Sequence, residues 1–359
     1  MAEMLTRREF LRDGTMAAAA AGLAATAGAD EKDEKAAAKA KQTEETKKTR
    51  SYNPDMLYRR LGKTGLWVSA VCLGGHWKRI DKVLQNKDDF DKNRAEVASR
   101  CLEAGINYVD ACMAQEILAY AKALKGKREQ VFFGYSWSDR EMRLPEWRKA
   151  DKLMEGLNQG LKESGLEYVD LWRITMLERG SLHTQAEIEE AVKAMEQAKK
   201  QGKARCTGCS SHDRNWLKAL IEKFPQQLEV ILTPYTAGST VLPKESLFDA
   251  VQQQDVGVFG IKPFASNSLF KGDGSPNSPH AEEDSKRARL AIRCILANPA
   301  ITAPIPGLIS AAQVDNMVKA VKEGPGLTEA EAQHLQLACD EMWAGLPEEY
   351  RWLRAHRLV

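Results

Sequence analysis

The chain has 359 residues with 52 basic and 50 acidic side chains, so its formal net charge is +2. Because the two signs are interspersed, the sequence gives no electrostatic reason to expect a nucleic-acid partner. The seven cysteines are an odd number scattered through apolar segments, which excludes the class of small disulfide-stapled domains.

The N-terminal segment has the features of an export signal. Arg7 and Arg8 stand within Thr-Arg-Arg-Glu-Phe-Leu-Arg, and a small, uncharged, alanine-rich run follows from Gly14 to Ala29. This run is too short for a convincing membrane span, and it ends in sites that suit signal peptidase. Residues 1–29 are therefore predicted to be a twin-arginine signal peptide, which directs a folded protein to the twin-arginine export machinery and out of a bacterial cytoplasm. No stable membrane span is expected in the mature form.

Residues 30–54 are rich in Asp, Glu, Lys, Ala, Gln and Thr, a composition that predicts a disordered, charged linker. The remaining residues are long enough for one large α/β barrel. We expect the barrel over residues 55–326 and a C-terminal helical extension, packed on the barrel, over residues 327–359.

A short hairpin is predicted at Leu57 to Leu66, turning at Gly62 to Gly65. Eight short apolar runs then alternate with amphipathic segments, the pattern of repeated βαβ units. The runs are Trp67 to Gly75, Ile106 to Cys112, Val131 to Trp137, Tyr168 to Thr175, Ala204 to Ser211, Glu229 to Tyr235, Gly257 to Phe264 and Ile301 to Gly307. The sequence therefore predicts an α/β fold, a (β/α)8 TIM barrel with an N-terminal β-hairpin and an extra C-terminal helix.

Active sites of such barrels lie at the carboxyl ends of the strands, so the polar residues that end the strands are the candidates for chemistry. They include His76, Asp110, Tyr135, His212 and Lys262. The segment from Ala265 to Ala281 is rich in Ser, Asn, Gly and Pro and predicts a long loop over the mouth of the barrel.

The hairpin Tyr58-Arg-Arg-Leu-Gly-Lys-Thr-Gly-Leu, Ala104-Gly-Ile-Asn-Tyr-Val-Asp, Tyr168-Val-Asp-Leu and Ile305-Pro-Gly stand in the order and spacing of the aldo-keto reductases, which the chain resembles from Tyr58 to about Val321. The resemblance implies a nicotinamide dinucleotide, NAD(P), extended across the barrel mouth and the reduction of a carbonyl. It also implies an Asp-Tyr-Lys-His tetrad in which the tyrosine donates the proton.

Only one tetrad position is retained. Asp110 matches the aspartate, whereas the positions of the tyrosine, lysine and histidine are held by Gln115, Ser136 and Thr175. The proton donor of the family is therefore missing, and the resemblance implies a divergent, exported member.

The resemblance also assigns candidate cofactor contacts. Ser210 matches the serine that holds the nicotinamide amide, and Ser211 stands where an asparagine is usual. The remaining candidates are Lys262, Pro263, Phe264, Pro306, Gly307, Ser310 and Gln313. The helix that begins near Ala311 offers backbone N–H groups to a phosphate. No basic residue follows Gly307 to grip a 2′-phosphate, so the sequence does not favour NADP over NAD.

The leading hypothesis is an NAD(P)-dependent oxidoreductase that holds its cofactor tightly and acts on the carbonyl or hydroxyl of a small substrate, with sugar-like compounds as candidates. Non-standard acid–base residues, Asp110, Tyr135 and His212 first among them, would then carry the proton.

Two alternatives stay open. In one, the cofactor is lost and the mouth does acid–base or metal-assisted chemistry, with His76, Asp110 and His212 as a weak metal-binding set. In the other, the barrel binds a ligand without catalysis.

Overall fold

The structure is a computed structural model that describes residues 44–239 and 245–356. The predicted signal peptide, residues 1–29, lies outside them. Among the described residues, no helix combines the length and the apolarity that a membrane crossing requires.

A two-stranded antiparallel hairpin opens the fold, with β1 (Tyr58–Arg60) paired to β2 (Trp67–Ser69) around a 3-10 turn at Gly62–Thr64. The predicted first run, Trp67 to Gly75, divides here between the hairpin and the barrel. Apolar hairpin side chains, such as Leu61 and Val68, pack against the beginnings of the barrel strands. The hairpin therefore closes the amino-terminal end of the barrel and leaves the other end for a site.

Eight parallel strands follow in consecutive order. They are β3 (Leu73–Gly74), β4 (Tyr108–Ala111), β5 (Phe132–Tyr135), β6 (Val169–Thr175), β7 (Ala204–Ser210), β8 (Val230–Pro234), β9 (Gly257–Ile261) and β10 (Ala303–Ile305). The Gly74 amide donates to the Pro306 carbonyl at 2.9 Å, and Gly74 bridges to Gly307, which joins the last strand to the first. The predicted (β/α)8 barrel is confirmed.

A helix follows each barrel strand. The eight are α1 (Phe90–Glu103), α2 (Ala114–Ala123), α3 (Ala150–Ser164), α4 (Gln185–Lys200), α5 (Arg214–Lys223), α6 (Leu247–Gln253), α7 (Ala281–Leu296) and α8 (Ala311–Glu323). Their starts are fixed by side-chain caps where the sequence offers them. Thr184 and Glu187 form a capping box on α4, and Ser310 accepts from the Gln313 amide at the start of α8.

The C-terminal extension contains α9 (Glu329–Ala344) and a 3-10 segment, Glu348–His356. Helix α9 packs on α7, where Arg287 pairs with Glu341 at 2.6 Å and Arg293 pairs with Glu331 at 2.7 Å. The 3-10 segment then crosses to the carboxyl ends of the barrel strands, where Trp352 stacks on His212. The predicted C-terminal helix is therefore confirmed, and the chain after it reaches the mouth.

The predicted disordered linker is too long at its C-terminal end. Arg50 donates to the Val131 carbonyl at 2.6 Å and pairs with the buried Asp170 at 2.9 Å, and Thr49 donates to the Trp67 carbonyl at 2.5 Å. Composition alone gave no sign of this order, because two hydrogen-bonding side chains and not apolar burial attach the segment to the barrel.

Candidate active site

Two adjoining cavities lie at the carboxyl end of the barrel, each with a volume of about 310 Å³. The first is the barrel mouth, lined by the ends of the strands and by Tyr350 of the C-terminal segment. The second lies between the loop after β9 and the start of α8. Lys78, Phe264, Asn267 and Gly307 line both cavities, so the two adjoin, and together they are called the cleft.

Asp110 lines the mouth, but its carboxylate is already bound. Arg173 of strand β6, which lies beyond the neighbouring strand β5, donates to both of its oxygens, from Nε at 3.0 Å and from Nη2 at 2.5 Å, and the pair is almost fully buried. Burial raises the pKa of Asp110 and Arg173 opposes that shift. Burial alone would lower the pKa of Arg173, but Asp110 raises it. Arg173 thus supplies the cation beside Asp110 that the family's missing lysine would have supplied.

Two of the three replaced tetrad positions, Ser136 and Thr175, join the same network. The Ser136 hydroxyl lies 2.6 Å from that of Thr175 and also bonds to Glu141, a buried carboxylate. Glu141 accepts from the Thr175 amide at 2.7 Å and from the Trp172 indole at 2.9 Å. Burial raises the pKa of Glu141 against these hydrogen bonds. Ser136 is therefore held in a buried polar network, and Thr175 joins this network to the mouth, which it lines.

A third group of polar side chains lines the rim of the mouth. Glu116, in the first turn of α2, places Oε1 2.5 Å from His76 Nδ1, and its Oε2 accepts from the Cys112 amide at 2.8 Å. Burial alone would raise the pKa of Glu116, but the hydrogen bonds from His76 and Cys112 bring it below its usual value. Burial raises the pKa of the Cys112 thiol to about 11. Cys112 is among the polar residues that end the strands in the sequence, whereas no sequence signal indicated Glu116, and Gln115 is exposed to solvent instead.

Two predicted catalytic residues lie in unexpected surroundings. Tyr135 is removed from the candidates, because a side chain at Gly160 would lie 1.8 Å from its hydroxyl, which therefore points at helix α3 outside the barrel. His212 lines the mouth, but its ring stacks on that of Trp352, with the ring centroids 4.2 Å apart and an interplanar angle of 9°. Burial lowers the pKa of His212 to about 2. A histidine with that pKa is a poor proton donor at neutral pH.

The weak metal-binding set of His76, Asp110 and His212 is not brought together. Among the described residues, the group of potential ligands that does converge is His76, Cys112 and Glu116, whose ligand atoms lie within 4.8 Å of one another. The carboxylate of Asp110 is occupied by Arg173.

The candidate cofactor contacts are distributed along the cleft. Ser210, Lys262, Pro263, Phe264, Pro306 and Gly307 line the mouth, and Ser310 and Gln313 line the second cavity. Ser211 turns away, since its hydroxyl donates to the Leu177 carbonyl at 3.0 Å. The loop predicted over the mouth lines the second cavity with Asn267, Phe270, residues 274–276 and Ser278.

Lys262 is one of the cations that line the mouth. It lies in the left-handed region with φ 55°, a conformation that non-glycine residues adopt at a cost, and the loop after it has three further residues with positive φ. Burial lowers the pKa of its ammonium group, which lies 5.6 Å from the Trp352 ring. Lys78, the cation that lines both cavities, bonds to the Tyr350 hydroxyl.

A closed parallel barrel with a polar cleft across the carboxyl ends of its strands is typical of barrel enzymes that bind their ligands at the mouth. The chain matches the sequence model of the Aldo/keto reductase family over residues 72–336, and it belongs to that family of NAD(P)-dependent oxidoreductases.

The relatives of known activity have low sequence identity to this chain, but the matched region covers most of each relative's length. L-galactose dehydrogenase from Arabidopsis thaliana is 26% identical over 74% of this chain and 88% of its own. The 6-dehydroglucose reductase of Novosphingobium aromaticivorans is 23% identical over 74% of this chain and 90% of its own. The holo form of an aldo-keto reductase from Bacillus halodurans superposes with a TM-score of 0.59 at 24% identity, covering 82% of this chain and 99% of that one.

Proposed function

We propose that this protein is an oxidoreductase that holds NAD(P) in the cleft and transfers a hydride to or from a small polar substrate at the barrel mouth. The observation that carries the proposal is that the two adjoining cavities together reach from Ser210 to the start of α8. Family membership supports the reaction class, because the dinucleotide supplies and accepts the hydride in that family.

The residues of the cleft fit an extended dinucleotide. Ser210 lines the mouth, where its hydroxyl can hold an amide, and Lys262 lines the same cavity, where its charge would offset a pyrophosphate. At the far end, the N-terminus of α8 and the side chains of Ser310 and Gln313 surround the second cavity, where a helix start favours negative charge.

Tight retention of the cofactor is the second part of the proposal. The C-terminal segment covers one side of the mouth, with Trp352 stacked on His212 and Tyr350 bonded to Lys78. His356 is anchored in turn by its ring nitrogen, 2.6 Å from the His212 carbonyl. A ligand beneath this segment would leave only after the segment moves, which slows its release.

A sugar-like substrate is favoured by the chemistry of the mouth and by the named relatives. Arg143, Glu178, His76 and Lys78 present charged or polar groups around the entrance, which suits a compound with several hydroxyls. Two of the relatives are named for a hexose, L-galactose dehydrogenase and 6-dehydroglucose reductase.

The proton must come from a group other than the family's tyrosine. The Asp110–Arg173 pair is fixed and buried, so it sets the charge at the base of the mouth and does not donate. In the direction of reduction, a bound reduced dinucleotide would supply the hydride for the carbonyl carbon, and solvent or a group at the rim would supply the proton for the oxygen.

The test compares a variant that fills the second cavity with a matched variant on the same helix. Ala312→Trp inserts a ring beside Gln313, whereas Lys319→Trp adds the same ring on the exposed face of α8. Wild type and Lys319→Trp should show a raised thermal midpoint with NAD or NADP and release a dinucleotide on denaturation, detected by mass spectrometry. Ala312→Trp should show neither. Wild type that contains no dinucleotide and gains no stability from either one would refute the proposal.

We also propose export by the twin-arginine machinery to the periplasm or another extracytoplasmic space. The support is the Arg7-Arg8 motif and the small apolar run after it. Export in the folded state would allow a protein to carry a cofactor loaded in the cytoplasm. Replacing both arginines by lysine should retain the protein in the cytoplasmic fraction; unchanged fractionation would contradict this route.

A further inference from the structure

Three side chains from three adjoining elements meet at the rim of the mouth, and none of them stands at a position of the family's tetrad. His76 follows β3, Cys112 follows β4 and Glu116 lies in the first turn of α2. One ligand atom from each lies within 4.8 Å of the others, and all three side chains line the mouth. They combine an imidazole, a thiol and a carboxylate.

The backbone holds this group in place. A side chain at Gly75 would lie 2.1 Å from the Glu116 carboxyl carbon, so glycine at that position makes room for the carboxylate. His76 has φ 55°, a left-handed conformation, and its amide donates to Glu116 Oε1 at 2.5 Å. The Cys112 amide donates to Glu116 Oε2 at 2.8 Å. The strained backbone at His76 and the two amide hydrogen bonds therefore hold Glu116 beside His76 and Cys112.

We propose that His76, Cys112 and Glu116 bind a divalent transition-metal ion of the zinc type, with one coordination position left open toward the cavity. Zinc takes cysteine sulfur, histidine nitrogen and glutamate oxygen, and a site with three protein ligands keeps a position for water or substrate. Magnesium and calcium prefer oxygen ligands throughout, so the thiol argues against them.

Small movements convert the observed group into a tetrahedral site. Donor atoms around tetrahedral zinc lie about 3.3–3.6 Å apart, as the usual bond lengths require. The widest pair among the three residues must close from at most 4.8 Å, and the His76–Glu116 pair must open from 2.5 Å. The His76 side chain has a relative accessibility of 48%, so its ring has open space beside it when the contact with Glu116 lengthens.

The role of the ion rests on the proposed function. An ion here lies beside the end of β4, where the family's tyrosine is missing, and its open position would take the carbonyl or hydroxyl oxygen of the substrate. Its charge would polarise that bond as a Lewis acid, the task that the tyrosine performs by protonation. The hydride still comes from the dinucleotide and the proton from solvent.

Metal binding is measured without dinucleotide or substrate, so that it does not depend on the proposed function. Full-length protein without an affinity tag is stripped with a chelator and titrated with Co²⁺, which reports thiolate ligation by a charge-transfer absorption, and its zinc content is measured after dialysis. Cys112→Ala and Glu116→Gln remove ligands. The matched control is Cys101→Ala, which removes a buried thiol from α1 outside the cavity.

Wild type and Cys101→Ala should bind one ion per chain and show the charge-transfer band. Cys112→Ala should lose the band, and both ligand variants should bind at least about 100-fold more weakly. Circular dichroism of each variant checks folding, and if a variant fails to fold, the thermal midpoint of stripped wild type should still rise on adding Zn²⁺. Stripped wild type that takes up no ion, or a band that persists in Cys112→Ala, would overturn the proposal. Ion binding without dinucleotide binding would refute the proposed function and leave this site standing.

Discussion

The buried pair of Asp110 and Arg173 gives the sharpest prediction about stability. Removing one partner leaves the other charge buried without compensation, which costs about 3–5 kcal/mol in the free energy of unfolding. The double hydrogen bond, at 3.0 and 2.5 Å, and the near-complete burial of both side chains place the pair at the upper end of that range. Asp110→Asn and Arg173→Met should each lose this amount in urea unfolding followed by circular dichroism.

The double variant Asp110→Asn, Arg173→Met removes both charges and should lose at least about 2 kcal/mol less than the sum of the single variants. The exposed pair of Arg60 and Asp255 is a matched control, because it has the same double hydrogen bond at 2.8 Å but both side chains are almost half exposed. Arg60→Met should cost less than about 1 kcal/mol. Equal losses for Arg173→Met and Arg60→Met would show that the reasoning about burial is wrong.

Three further predictions concern the mouth. Gly75→Ala should displace the Glu116 carboxylate and weaken Co²⁺ binding at least about tenfold while the fold is kept, measured by titration and circular dichroism; unchanged affinity would contradict the packing. Burial lowers the pKa of His212 to about 2 and of His356 to about 4, so both are neutral when folded but protonate near pH 6.5 when unfolded. Stability should therefore fall by about 2.5 kcal/mol from pH 7 to 5.5, and less in a variant with both histidines changed to glutamine. Trp352→Ala should uncover the His212 ring and raise its pKa, seen by NMR titration; a pKa that stays near 2 would refute the role of stacking.

The fold was predictable because its signals are local. Eight apolar runs bounded by polar ends are long enough to define strands, and the helices between them have apolar faces of helical spacing. The position of Asp110 at the end of a strand likewise placed it at the mouth. These features depend on the order of residues along the chain and not on which side chains meet across it.

The composition of the site was less predictable because it depends on register and on distant segments. Asp110 meets Arg173 only because Gly134, the residue paired with Asp110 on the strand between theirs, is itself paired with Leu171 near Arg173. Glu116 lies one turn into a helix, where a charged residue is usually solvated. Tyr350 and Trp352 come from a segment that no pattern places over the barrel.

The error on Tyr135 has a simple cause that the sequence did contain. Side chains alternate between the two faces of a strand, so neighbouring residues Tyr135 and Ser136 cannot both face the mouth. Ser136 bonds to Thr175 on the inner side, and Tyr135 accordingly packs outward against α3. Only one of these two residues can therefore be a candidate for the mouth.

The most direct test of the proposed oxidoreductase is a crystal structure of the protein grown or soaked with NAD or NADP. We predict one extended dinucleotide that spans both cavities, with its nicotinamide end beside Ser210 and its adenosine end beside Ser310 and Gln313. A dinucleotide bound elsewhere, or a cleft without ligand density at a dinucleotide concentration far above that used for related enzymes, would contradict the account.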